Sequence, residues 1–213
     1  IFIFPKRTIA PQPTISPAPS ARLKSISGMV IPHHDLVKAQ RDATFAKIKP
    51  LIAQPKTVIL ISPNHYTSGK ANIQTTNQIW QTTGGDIEPN TVAINALTKT
   101  GGGDEPNSFT NEHGIKLILG NIQQTFPNST IVPLIFKIDT PKSEIQQVHD
   151  ILQAQCSNCF IVASVDFSHY QPAILADLHD DLTYRALENR DDDLLLSRAE
   201  VDSPPALALL TMW

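Results

Sequence analysis

Three short windows hold four of the seven histidines of this chain: Pro32-His33-His34-Asp35, Ser62-Pro63-Asn64-His65-Tyr66 and Ser164-Val165-Asp166-Phe167-Ser168-His169-Tyr170. A fifth, His113, stands next to Glu112. Imidazole is the commonest protein ligand for iron, copper and zinc, and a neighbouring carboxylate fixes the ring through its second nitrogen. The chemistry expected of such a set is the binding of a divalent transition metal, iron first, with copper or zinc as alternatives. His33 and His65 are expected to supply two ligands. The third is His169, Asp166 or Ser168. Glu112 and His113 are close enough in this scheme to act as acid, base or outer support. Each residue also has a plainer role open to it: His33 and His34 as helix caps, His65 as a partner of turn carbonyls, Asp166 as an acceptor for loop amides. Only one of His33 and His34 is expected to face the site. His149 and His179 fall in mid-helix patterns and read as surface or packing residues.

These windows need elements to position them, and the hydrophobic pattern provides them. Ser25–Pro32, Thr57–Ser62, Ser129–Phe136 and Cys159–Val165 are short, β-branched apolar runs without polar alternation. That pattern fits strands covered on both faces. Between them lie helical stretches. Asp35–Ile48 places Leu36, Ala39, Ala43 and Ala46 near one face and ends before Pro50. Glu112–Phe126 repeats Ile115, Ile118, Leu119, Ile122 and Phe126 at three-and-four spacing, with Asn111 as the expected N-cap. Ser143–Gln155 and Ile174–Asn189 are two more. Ser68–Asn111 interrupts the alternation with hairpin-like segments, a small helix near Thr91–Thr100 and a glycine-rich loop. The alternation predicts an α/β protein with a mostly parallel sheet and helices on both faces, its ligand crevice beyond the carboxyl ends of the strands. All three histidine windows directly follow predicted strands, His33 and His65 at neighbouring ones.

Composition narrows the function classes. A chain of 213 residues suits one α/β domain with a full core. A net charge of −3, with no run of lysine or arginine, argues against nucleic acid as a partner. The only cysteines, Cys156 and Cys159, form one C-x-x-C, too few for a zinc site. Two free thiols at a helix-to-strand junction are the first expectation, a local disulfide the second. Residues 1–24 read as an apolar stub, IFIFPKR, followed by a Pro-rich linker, with the domain over 25–213. Two expectations follow: a signal anchor tethering an extracytoplasmic domain to a membrane, or a plain extension on a cytoplasmic protein.

The ordered windows resemble the MEMO-like family, also called AmmeMemoRadiSam system protein B. The resemblance rests on Pro32-His33 after the first strand and Pro63-Asn64-His65 after the second. It continues with Glu112-His113 opening a helix that runs to Ile131-Val132-Pro133, and with Ser164-Val165-Asp166-Phe167-Ser168-His169 after the fourth strand. It is close from about Ser27 to Tyr170 and weaker through Val201–Leu210. It implies a fold like that of the class III extradiol ring-cleaving dioxygenases, with His33 and His65 as metal ligands. The third family ligand is commonly a cysteine where this chain has Ser168, a poorer donor than thiolate. His33-His34-Asp35-Leu36 also replaces the common His-Ala-Gly-Tyr. A final strand that the family places beside the first is expected to be missing. The implied function is metal-dependent redox chemistry on a small molecule, with Asp166, His169, Glu112 and His113 in the catalytic group. The alternative is a non-catalytic module binding a metal or a peptide, with Tyr66, Trp80 and Tyr170 near its crevice. Zinc-assisted hydrolysis ranks lower.

Overall fold

The computed structural model describes residues 26–213; the expected stub and linker lie outside the described residues. The first strand, β1 (Gly28–Ile31), leads through a short 3-10 turn, Asp35–Val37, into helix α1 (Lys38–Ile48). Strand β2 (Thr57–Pro63) is followed by β3 (Ile73–Thr75), the small pair β4 (Trp80–Thr82) and β5 (Gly85–Ile87), and helix α2 (Thr91–Lys99). Next come β6 (Gly103–Asp104), α3 (His113–Thr125), β7 (Thr130–Phe136) and α4 (Lys142–Gln155). Strand β8 (Cys159–Ser164) precedes three helices: α5 (Ala173–Asn189), α6 (Asp192–Arg198) and α7 (Pro204–Met212).

The main sheet has the order β1-β8-β2-β7-β3-β6. Strands β1, β8, β2 and β7 run parallel, and β3 joins β7 antiparallel. The expected α/β architecture is therefore present. The strand order was not legible: β8 lies between β1 and β2, so the His33 and His65 strands are not neighbours.

Alternation along the central strands splits their side chains between two cores. Val58, Leu60, Phe160, Val162, Ile131 and Ile135 face α1, α3 and the β4–β5 pair. Ile59, Ile61, Ile161, Ala163, Val132 and Leu134 face α2, α4, α6 and α7. Both faces are covered, which explains the unbroken apolar runs. Fully burying each such Ile, Leu or Phe contributes about 1.5–3 kcal/mol. Pro133 is tolerated inside β7 for a local reason. Ile131 exchanges bonds with Glu88 and Asn90 on the outer side of β7, and β3 pairs only at Ile135 and Phe136. Alternate residues point their amides the same way, so the N–H that proline lacks falls in the gap between those contacts.

Helix α1 corrects the expected inner face. Leu36, Ala39, Ala43 and Ala46 are exposed, and Arg41 and Phe45 are buried. Arg41 turns inward because its Nη1 donates to the carbonyls of His33 at 3.1 Å and His34 at 3.3 Å. Its Nε donates to Asn121 Oδ1 at 3.3 Å. A second correction concerns the cysteines. Cys156 and Cys159 are joined as a disulfide at the α4–β8 junction, rather than standing as two thiols. No helix among the described residues is long and apolar enough to cross a membrane.

Candidate metal centre

Strand register assembles the first part of the site. Ile31 pairs with Ser164 and Ile61 with Ala163, so His33 and Asp166 stand abreast just past the ends of β1 and β8. His33 donates its backbone N–H to Asp166 Oδ1 at 2.9 Å, and its ring is buried. Ring Nδ1 lies 3.1 Å from Ser164 Oγ, and Ser164 gives its own hydrogen to the Gly114 carbonyl at 2.5 Å. With that hydrogen committed, Ser164 accepts, and the ring hydrogen of His33 sits on Nδ1. Nε2 is left bare. It lies 3.5 Å from Asp166 Oδ2 and 3.3 Å from Asp202 Oδ2. Burial holds the His33 pKa below the usual histidine range against the pull of Asp202 and Asp166. The ring therefore does not relieve the contact by taking a proton. Three acceptors face one another with no hydrogen between them, the arrangement that a cation completes.

His65 comes from a tight turn at the end of β2, pinned by the Asn64 N–H on the Phe136 carbonyl at 2.8 Å and by Asn64 Oδ1 accepting from the Ser68 N–H at 3.1 Å. Thr67 closes this turn at φ 48°, a left-handed conformation costly for a β-branched residue. Glu112 is fully buried and holds His65 at two points. Its Oε2 accepts the His65 backbone N–H at 3.0 Å, and its Oε1 lies 2.5 Å from ring Nδ1. The ring hydrogen of His65 belongs on that bond, which leaves Nε2 directed toward the same place, 3.7 Å from Asp202 Oδ2. Burial opposes the charged ring, but the Asp202 and Glu112 carboxylates outweigh it and raise the His65 pKa to about 9.

Glu112 also caps α3, accepting from the Gly114 N–H at 3.2 Å, in place of the expected Asn111. The cap sets His113 at the first turn, where its ring lies against that of His65 with centroids 3.9 Å apart. Desolvation and the charge on His65 lower its pKa, so His113 is neutral near pH 7. Gly114 must be glycine: an added Cβ would fall on Ser62 Oγ and within 3.4 Å of His33.

Ligand atoms of His33, His65 and His113 lie within 4.8 Å of one another, as do those of His33, Asp166 and Asp202. Asp202 has no counterpart among the residues singled out in the sequence. It immediately precedes α7, where its N–H bonds the Asp166 carbonyl at 3.2 Å and its Oδ2 accepts the Asp166 N–H at 3.2 Å. Its Oδ1 is buried without a partner among the described residues, an orphaned acceptor that fits a cation. Glu200-Val201-Asp202-Ser203-Pro204 has no neighbouring histidine and follows no strand; a capping serine before two prolines was the one available signal.

The structure thus brings together His33, His65, Glu112, His113 and Asp166. Ser168 and His169 are placed differently. The Ser168 hydroxyl donates to the Glu200 carbonyl at 3.2 Å, and its N–H donates to Asp180 Oδ1 at 3.1 Å. His169 is exposed, its Nδ1 on the Phe167 carbonyl at 2.9 Å, and it belongs to neither ligand group. His34 caps the turn after β1 by accepting from the Leu36 N–H and does not join the site. His149 bonds Asp150 at the surface of α4.

A family model described as Memo-like protein matches residues 8–208. The chain belongs to the Memo-like family. Among its relatives, a MEMO1 family protein of Caldivirga maquilingensis is 28% identical over 69% of this chain and 54% of its own length. Another, from Ignicoccus hospitalis, is 26% identical over 85% of this chain and 65% of its own. The Memo-like chain described here therefore spans about half to two thirds of the length of these relatives. A crystal structure of the uncharacterized protein JW3007 from Escherichia coli K12 superposes with a TM-score of 0.54. Its identity is 13%, over 81% of this chain and 80% of that one, a likeness of fold.

Proposed function

We propose that this Memo-like protein holds one Fe(II) ion on His33, His65 and Asp202 and is a metal-dependent redox enzyme of the dioxygenase type, acting on a small molecule. One observation carries the reading: the Nε2 atoms of two histidines whose Nδ1 atoms are committed elsewhere converge on Asp202, a carboxylate with one unpartnered oxygen. Two histidines and a carboxylate with positions left open are the ligand set of non-haem Fe(II) oxygenases. Catalytic zinc is also held by two histidines and a carboxylate, and copper accepts imidazole, so metal identity is read directly in the test below. Asp202 replaces Ser168 as third ligand in this reading, since an anionic oxygen outcompetes a neutral hydroxyl already bonded to Glu200.

The metal, when bound, would supply redox and Lewis-acid chemistry. The protein groups have separate work. Ser164 and Glu112 hold the two Nδ1 atoms and so direct both Nε2 atoms at the metal position, where His65 would give up its Nε2 proton on binding. Asp166 holds the His33 backbone and lends a second negative charge. His113, neutral and 43% exposed along its side chain, is the residue on the open side able to take a proton from a bound substrate. The test is elemental analysis and anaerobic Fe(II) titration of the protein beside His33→Ala and His65→Ala. About one iron per chain, lost in both variants, is expected; equal binding by parent and variants would overturn the assignment.

A further inference from the structure

Away from the metal centre, a groove of about 770 Å³ runs between the β4–β5 pair and helices α1 and α3. Its wall includes Arg41, a residue only 1% exposed. Every partner of this guanidinium is neutral: backbone carbonyls on Nη1 and the Asn121 amide on Nε. Nη2 has no partner among the described residues, and no carboxylate among them pairs with Arg41. A buried cation in that position is left with no directly paired carboxylate, Asp42 reaching it only through Asn121, and with the two N–H groups of Nη2 unused. On the hairpin side, Trp80 buries an indole N–H that also lacks an acceptor among the described residues.

The remaining walls define what could neutralise it. Lys38 is engaged by Asp42 and Lys116 by the Thr110 carbonyl, while Asp35 and Asp86 also line the groove. Asp42 neutralises Lys38, and Asp35 and Asp86 balance Arg41 and Lys116, so the groove carries no net charge; the Arg41 guanidinium can meet a single anion, while a dianion such as phosphate would bring a second charge that nothing there neutralises. Ile79, half-exposed, together with Trp80 and Leu119 offers an apolar surface, and Gly120 leaves open space: a Cβ built there meets nothing within 4 Å. We propose that this groove binds a small organic monocarboxylate, its carboxylate on Arg41 Nη2 and its apolar body between Trp80 and Gly120. Because Arg41 also holds the His33 and His34 carbonyls, an occupant would be felt by the loop that carries a proposed metal ligand. The binding itself is independent of whether a metal is present.

The test uses the metal-free protein, with benzoate as probe, benzamide as its neutral isostere and phenyl phosphate as the dianion. Binding is followed by calorimetry and by tryptophan fluorescence in a Trp213→Phe background, where Trp80 is the one indole. Saturable benzoate binding is expected, with benzamide and phenyl phosphate each at least tenfold weaker. Gly120→Phe fills the groove from a position with open space, so it should keep the parental melting temperature and lose benzoate binding at least tenfold. Arg41→Lys keeps one donor for the carbonyls and removes Nη2, and should weaken benzoate by a similar factor. Equal binding of benzoate and benzamide, tighter binding of phenyl phosphate, or undiminished benzoate binding by folded Gly120→Phe would each overturn the proposal. So would no benzoate binding at all.

Discussion

Glu112→Gln separates positioning of the metal centre from mere occupancy of space, because glutamine matches glutamate in length and shape. The carboxylate accepts three hydrogens: His65 ring Nδ1 at 2.5 Å, the His65 backbone N–H at 3.0 Å and the Gly114 N–H at 3.2 Å. The amide has one acceptor oxygen. With that oxygen at the Oε1 position, two bonds survive and the new NH2 group meets the His65 N–H, donor against donor. Burying that mismatch costs about 1–3 kcal/mol, and neutralising the bond to the ring removes about 1 kcal/mol more. A loss of about 2–4 kcal/mol lowers the melting temperature of a domain this size by about 5–15 °C. The weakened grip on the ring should also reduce metal affinity about 10–100-fold. Thermal unfolding of the metal-free protein and anaerobic Fe(II) titration read the two effects separately. A variant that melts low yet binds iron with parental affinity would refute the positioning role; one that melts normally would refute the buried three-bond geometry.

Other perturbations probe the remaining parts. Asp202→Asn should abolish stoichiometric iron binding while Ser168→Ala retains it, as read by elemental analysis; the reverse pattern would restore Ser168 as the third ligand. In the metal-free protein His65 is raised to about 9, so its contribution to stability is complete below its unfolded value near 6.5 and is lost as pH rises through 9. His33 is shifted downward, so stability also falls as pH drops below about 6.5. Melting temperature should therefore peak near pH 6.5–7, and a monotonic rise to pH 9.5 would contradict the Glu112 and Asp202 contacts. Apparent metal affinity should climb from pH 7 to 9, because the metal displaces a proton from His65 Nε2. Reducing the Cys156–Cys159 bond should lower stability by about 2 kcal/mol in the loop-entropy account and leave iron binding unchanged, since it lies at the opposite end of β8 from Asp166.

What the sequence carried was local. Apolar runs ending in Pro-His, Pro-Asn-His and Ser-Val-Asp located three strand ends, and the rule for parallel sheets made those ends one place. Ring tautomers and strand order are long-range properties that no window contains. Ser164 reads as one more strand residue until Gly114, fifty positions earlier in the chain, accepts its hydrogen. Glu112 was visible as a neighbour of His113, but its double hold on His65 depends on a turn 47 residues away. Arg41 was hidden by its own type: a periodic reading of α1 turns alanines inward, whereas free carbonyls after β1 draw the guanidinium in. Asp202 was missed because nothing beside it resembles a ligand.

The insertion of β8 between β1 and β2 sets the order in which this site can come into being. His33, His65 and Asp202 belong to segments that meet only after a strand more than 90 residues downstream of β2 has threaded between two earlier ones. A nascent chain emerging from the ribosome presents His33 and His65 long before Asp166 or Asp202 exists to stand beside them. On the ligand set proposed above, metal capture would be deferred until the sheet has closed, since an ion met earlier would lack the Asp202 carboxylate. Loading would then be a property of the finished fold and not of any single segment.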